Sequence, residues 1–204
     1  VSAGGDALVL MPTGGGKSLC YQIPAIARQR AGHGVSIVVS PLIALMQDQV
    51  ESLQAAGVAA TFINSTLTRD EQNRRYRDFI EGRTSLLYVA PERFANARFV
   101  AGLRAAGVNL LVIDEAHCIS QWGHDFRPEY RRLAELREYF PNLSLHAYTA
   151  TATPRVRQDI VQRAAGQIEL APFVRVDRAR GERLAGHRVE IPALLQLAAR
   201  GVRQ

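Results

Sequence analysis

Lysine is all but missing from this chain: of its 25 basic side chains, 24 are arginines and only Lys17 is not. Cysteine is scarce too, with Cys20 and Cys118 far apart in sequence. Two cysteines cannot build a zinc ribbon or a disulfide framework, so the expectation is a pair of reduced, buried thiols, which favours an intracellular protein. Long hydrophobic runs are also lacking. The best candidate, residues 35–46, is interrupted by Ser36, Ser40 and Pro41 and does not qualify as a membrane span. The first residues have neither a basic n-region nor an apolar h-region, so no signal peptide is visible. The chain starts with Val1 rather than Met, which fits a sequence that begins inside a longer protein.

What is present is apolar and regularly interrupted. At 47% apolar residues in 204, the chain can bury one sizeable α/β core. Short apolar runs, many of them β-branched, recur at 7–10, 35–39, 59–63, 86–89, 110–113 and 145–148. Helix candidates lie between them, near 17–29, 42–56, 68–81, 128–139 and 154–164. Near-continuous apolar strands alternating with helices predict a mostly parallel sheet with helices on both faces. Right-handed crossovers then bring every strand's C-terminal end to one edge, where ligands bind in open α/β sheets. Residues 1–166 are expected to form this domain, with 167–204 a divergent basic tail or incomplete linker. The net charge of +6 sits mostly in the tail: 1–154 hold 15 basic and 14 acidic side chains, 155–204 hold 10 and 5. A basic tail is usually solvated chain, so the charge alone carries little weight for nucleic-acid binding.

The one lysine lies in Met11-Pro12-Thr13-Gly14-Gly15-Gly16-Lys17-Ser18, between an apolar run and a helical pattern. Backbone N–H groups of a glycine-rich turn at a helix start cradle anions, and the helix dipole adds positive charge there. Lysine reaches outer phosphates as a compact charge on a thin stem, where an arginine fork would be too wide. Ser18 offers a hydroxyl suited to Mg²⁺, which prefers oxygen ligands. Thr13, Gly14, Gly15, Gly16, Lys17 and Ser18 are therefore the candidate nucleotide-binding residues. The general phosphate-loop pattern has a glycine where Met11 stands, which argues against the small-GTPase version.

Asp114-Glu115-Ala116-His117 follows the run 110–113, so its carboxylates emerge at a strand tip on the same edge. The aspartate can hold Mg²⁺, directly or through water, and the glutamate can orient or deprotonate an attacking water. Taken alone, two acids after a buried strand could equally be an exposed turn. His117 beside Cys118 and His124 has a zinc-like look, but no second cysteine pair completes a tetrahedral site. His117 reads instead as a relay to Thr149-Ala150-Thr151. The segment 119–130 carries the only tryptophan, Trp122, with Phe126, Arg127 and Tyr130. Aromatic faces and an arginine suit stacking on unpaired bases and clamping a phosphate. The alternative is a satellite cluster with Trp122 and Phe126 packed on the sheet edge.

Together, residues 12–21, 39–50, 88–94, 112–130 and 149–152 resemble the first RecA-like motor domain of RecQ-family DNA helicases, DEAH-box members of superfamily 2. Their phosphate loop takes the Pro-Thr-Gly-x-Gly-Lys-Ser form, and the run 114–130 is the most specific part of the match. The resemblance spans residues 6–163 in the family's motif order. It implies a RecA-like P-loop NTPase fold, ATP and Mg²⁺ as cofactors, and 3′–5′ translocation with duplex unwinding. Single-stranded and duplex-junction DNA are the implied partners, and the cytoplasm, at the nucleoid, the implied location. By matched position, Gly14 to Ser18 would bind the phosphates with Lys17 on the β/γ groups. Ser18 and Asp114 would hold Mg²⁺, and Glu115 would activate water. His117, Thr149, Ala150 and Thr151 would couple nucleotide state to DNA. Ser40, Pro41 and Leu42, with Gln47 and Gln49, would line the single-strand path, and Trp122, Phe126 and Arg127 would sense the strand and trigger hydrolysis.

Two parts of the family pattern fall outside the match. The upstream segment that reads adenine is expected to precede Val1. After Gly166 the family continues into a Phe-Asp-Arg-Pro linker and a second motor domain carrying an arginine finger, whereas Val176-Asp177-Arg178-Ala179 keeps only the central pair. The expectation is a motor half that turns ATP over very slowly by itself. A catalytically inactive DNA- or partner-binding remnant is the alternative, and the intact Lys17, Asp114 and Glu115 speak against it. A small-molecule kinase would need an acceptor-binding lid, which no segment resembles.

Overall fold

The computed structural model describes residues 5–133, 136–140 and 143–165. The expectations for 167–204, including the linker-like residues 176–179, lie outside the described residues. Every apolar run becomes a strand: β1 (Ala7–Leu10), β2 (Val35–Val39), β3 (Ala60–Ile63), β4 (Leu86–Val89), β5 (Val108–Ile113) and β6 (Ser144–Thr149). They form one sheet in the order β1-β6-β5-β2-β4-β3, each neighbouring pair parallel. All six C-terminal ends therefore share one edge.

The runs are apolar without alternation because both sheet faces are covered. Ile37, Val39, Leu111, Ile113, Leu145 and Ala147 enter one core, while Val38, Leu110, Val112 and Tyr148 enter the other. Helices α1 (Leu19–Arg30) and α2 (Ile43–Ala55) close the second core with Tyr21, Ile26, Met46, Val50 and Leu53. The first is closed by α3 (Arg69–Ile80), α4 (Ala97–Ala105) and α6 (Pro154–Ala165), through Phe79, Phe99, Leu103, Val156 and Ile160.

Two features depart from the sequence reading. Helix α4 was not expected, since it is short and holds Gly102. It forms because Asn96 caps it, its side chain accepting from the N–H groups of Arg98 and Phe99. Gly102 is also where Tyr76 crosses, its hydroxyl standing where a Cβ would be. The helix expected over 128–139 is instead a 3₁₀ segment, Pro128–Leu133, followed by the single turn α5 (Leu136–Tyr139). Tyr130, Leu133 and Leu136 are all buried at a spacing of three, the period at which 3₁₀ side chains eclipse. Among the described residues, no helix is long and apolar enough to cross a membrane.

Candidate active site

The loop from β1 to α1 is held by what precedes and follows it. The Met11 N–H donates to the Thr149 carbonyl at 3.1 Å, carrying the β1–β6 pairing one residue further. The Met11 side chain is buried, 3.5 Å from the Cys20 sulfur. A residue that fills the core rather than the phosphate cradle accounts for the departure from the general glycine pattern. The glycines that follow are needed for backbone reasons. Gly14 and Gly16 have φ of 73° and 81°, and a Cβ on Gly15 would stand 2.9 Å from the Pro12 carbonyl oxygen. The first turn of α1 contains no acidic residue, so its N-terminal positive charge is left for a ligand.

The acid pair emerges two strands away, across β6. The Asp114 N–H donates to the Val39 carbonyl at 2.9 Å, which fixes the aspartate at the end of the β5–β2 ladder. Glu115 then takes a left-handed conformation, φ 49°, while its N–H donates to Asp114 Oδ1 at 3.0 Å. A non-glycine residue with positive φ is uncommon and concentrates at functional turns. Lys17 Nζ lies 2.9 Å from Glu115 Oε1 and 3.7 Å from Asp114 Oδ1. The phosphate-loop ammonium and both carboxylates thus share one place.

Their electrostatics differ. Burial raises the Asp114 carboxyl above the ordinary carboxylate range, with Lys17 opposing it. Glu115 is held down to about 2, first by a hydrogen bond from His117 and then by Lys17, against the effect of burial. The Thr149 hydroxyl donates to the Thr151 carbonyl at 3.1 Å, so Thr149 Oγ1 can only accept from His117 Nδ1, 3.0 Å away. The same Nδ1 lies 3.3 Å from Glu115 Oε2. One chain of hydrogen bonds therefore joins the loop after β6 to the carboxylate after β5. Ala150, between the two threonines, is partly exposed.

The donor set at this edge suits a hard cation. Asp114 is a buried carboxylate whose charge needs a positive neighbour, and Ser18, next to Lys17 in the chain, carries a hydroxyl oxygen, the donor type Mg²⁺ takes. His117, Cys118 and Asp125 also bring donor atoms within 4.8 Å of one another. A search for paired cysteines overlooks Asp125. Burial, and then Asp125 itself, pushes the Cys118 thiol up to about 12, so the trio lacks the thiolate that zinc favours.

The aromatic segment packs beside this chain of hydrogen bonds. A Cβ on Gly123 would stand 2.5 Å from the His117 carbonyl oxygen, so glycine allows the loop to close onto the acid turn. His124 stacks on His117 with centroids 4.5 Å apart. Trp122 does not pack on the sheet edge: it is 51% exposed, and the Arg155 guanidinium lies 3.3 Å from its ring centroid. Phe126 is half-buried. The Arg127 N–H donates to the Cys118 carbonyl, and its guanidinium reaches the Pro41 carbonyl at 3.5 Å, linking this loop to the segment after β2. In that segment Leu42 is 46% exposed, whereas Ser40 is 1% exposed and its hydroxyl faces no outer surface. Gln47 is partly exposed on α2, and Gln49 turns inward, its Oε1 accepting from Gln22 Nε2 at 2.7 Å. Sequence reasoning missed Arg155, because nothing in a helix-start arginine announces a contact with a ring 33 positions earlier.

The DEAD/DEAH box helicase family profile matches residues 1–160. The chain belongs to that family. It is 50% identical over 159 residues to the ATP-dependent DNA helicase RecQ of Haemophilus influenzae, covering 78% of this chain and 25% of that one. It is 51% identical over 152 residues to the RecQ of Bacillus subtilis, covering 74% and 25%. It is 45% identical over 163 residues to the ATP-dependent helicase SGS1 of Saccharomyces cerevisiae, covering 78% and 11%. Within the family it corresponds to a RecQ-type first motor domain. The chain spans about a quarter of the length of the bacterial relatives it matches. The Hef helicase domain of Pyrococcus furiosus shares the fold, with a TM-score of 0.60 at 20% identity over 80% of this chain and 34% of that one.

Proposed function

We propose that residues 1–166 are the ATP-hydrolysing motor domain of a RecQ-like DNA helicase, working in the cytoplasm at the nucleoid. The observation that carries this reading is the Lys17 ammonium lodged between Glu115 and Asp114. In the absence of nucleotide the lysine holds the glutamate, and with His117 keeps it a weak base. A triphosphate entering the glycine loop gives Lys17 a stronger anionic partner. Withdrawal of the ammonium removes one of the two contacts that hold Glu115 down, and transfer of the His117 N–H fully to Thr149 removes the other, leaving Glu115 to accept a proton from the attacking water. Ser18 and Asp114 are the residues that would hold Mg²⁺, which when bound would neutralise charge on the phosphates.

His117 couples this event outward. Any change at Glu115 is felt at Thr149 through the shared Nδ1 proton, and through His124 and Gly123 at the aromatic loop. Trp122, Phe126 and Arg127, with Pro41, Leu42 and Gln47, form the face offered to unpaired bases and the strand backbone. The substrates are single strands and duplex junctions, with translocation 3′–5′. A second RecA-like domain in a longer parent chain completes the site, in keeping with the fraction of the relatives that is matched. ATP hydrolysis by the parent, with and without single-stranded DNA, is the test. Lys17→Ala is expected to abolish stimulated hydrolysis, and unchanged turnover would refute the phosphate-loop assignment. These 204 residues alone are expected to bind Mg²⁺-ATP weakly and to unwind nothing.

A further inference from the structure

We infer that Arg155 is a gate on Trp122: its guanidinium covers the indole face in the strand-free protein and must leave before an unpaired base can stack there. The inference rests on the reading of Trp122 as a DNA-contacting residue and adds to it a device for setting how readily DNA is sensed.

The observations concern one contact and its surroundings. Trp122 is half-exposed at the lip of an open groove of about 510 Å³ that runs between the aromatic loop and the segment Thr151 to Pro154. The groove floor includes His117 and His124, the route to the acid turn. Arg155 lies over the ring at 3.3 Å from its centroid, a distance that leaves no space for a base between them. A cation on an indole face is favoured, but only modestly where water competes. The position of Arg155 works against it. It stands in the first turn of α6, which contains no acidic residue, and a positive charge at a helix start is opposed by the helix dipole. Asp159, one turn further along α6, is engaged with Arg163 instead. The cap is therefore held chiefly by the ring it covers, strongly enough to occupy the face and weakly enough to yield.

A base that takes the face gains stacking comparable to or greater than what the guanidinium gives up. The consequence is a reduced apparent affinity for the strand, since the stacking-competent state is only a fraction of the population. The start of α6 is held independently of this contact, by the Val156 N–H on the Thr153 hydroxyl, the Arg157 guanidinium on the Ala152 carbonyl and Val156 in the core, so the Arg155 side chain can leave the ring without unwinding the helix.

Because Trp122 is the only tryptophan, its emission reports this contact without interference. The experiment titrates the 204-residue chain with a short oligodeoxythymidylate, following tryptophan emission, acrylamide quenching and the anisotropy of the labelled strand. Wild type is compared with Arg155→Ala, and with Arg155→Lys, which keeps the charge but stacks less well. The gate predicts greater acrylamide quenching in Arg155→Ala without DNA. It also predicts a half-saturating oligonucleotide concentration lower by about two- to fivefold, with Arg155→Lys between. An unchanged half-saturation, or an unchanged quenching constant, overturns the gate. A raised half-saturation also overturns it, and identifies Arg155 as a phosphate contact. Anisotropy that rises while emission stays constant in all three proteins overturns the underlying reading of Trp122, a result distinct from failure of the gate alone.

Discussion

The two halves of the functional edge are built in opposite ways. At the phosphate loop, Lys17 is 12% exposed and closed on two carboxylates, with backbone hydrogen bonds fixing both partners at strand ends. At the aromatic loop, Trp122 is 51% exposed and is covered by one arginine from a neighbouring helix. The first is assembled before any ligand arrives and needs only an exchange of partners. The second, on the reading proposed above, offers a surface that a strand would have to uncover. The difference matches the chemistry proposed for each, because positioning a phosphate and a water demands fixed groups, whereas reading a strand of any sequence demands an accessible stacking face.

The sharpest way to break this comparison is at Lys17. Lys17→Ala is expected to lower stimulated ATP hydrolysis by the parent chain by at least about 10²-fold, as loss of a charge-stabilising group does elsewhere. Measured turnover close to wild type would mean that the closed ion-pair cluster has no part in catalysis. Glu115→Gln is expected to separate binding from chemistry. Nucleotide affinity should persist while hydrolysis falls by about 10²-fold, as loss of a general base does. An equal loss of both would assign Glu115 to binding.

The aromatic side should respond differently. Trp122→Ala is expected to raise the DNA concentration needed for half-maximal stimulation by about fivefold or more, the scale of one lost base stack. Basal hydrolysis should fall less than stimulated hydrolysis, and equal losses would return Trp122 to a packing role.

Much of the first region was legible in the sequence because its information is local. Met11 to Ser18 and Asp114 to His117 are contiguous stretches, and the strand before each fixes where the cluster emerges. The parallel sheet was legible for the same reason, since runs such as 35–39 are apolar throughout. The second region was only half legible. Trp122, Phe126 and Arg127 could be picked out by type, but the exposure of the ring and its cover depend on where α6 starts relative to a loop 30 residues earlier. Helix α4 escaped for a related reason: the Asn96 cap and the packing of Phe99 and Leu103 into the core support a stretch of only nine residues that Gly102 interrupts. The segment 128–139 had helical periodicity, but among its described residues the buried ones, Tyr130, Leu133 and Leu136, fall at every third position, a distinction that only the packed structure reveals.

The last expected effect is on stability rather than on activity, and it lies at the β1–β6 seam. Burial lowers His146 to about 4, and its Nε2 lies 3.0 Å from the Gly5 carbonyl oxygen. The unfolded chain takes up this proton first, near pH 6.5, so stability is complete above that value and declines as pH falls toward 4. The loss amounts to about 3 kcal/mol. Denaturant titrations across this range should show the decline, and His146→Gln should flatten it. A decline of the same size in the variant would assign the effect to other groups.

The central claim is that the turn holding Lys17 and the strand tip holding Asp114 grip one triphosphate and its metal together. ATP affinity measured with and without Mg²⁺, in wild type and in Asp114→Asn, tests it most directly. The account predicts that Mg²⁺ strengthens ATP binding in the wild type and that this gain disappears in Asp114→Asn, while binding without metal is retained. A gain of the same size in Asp114→Asn would contradict it.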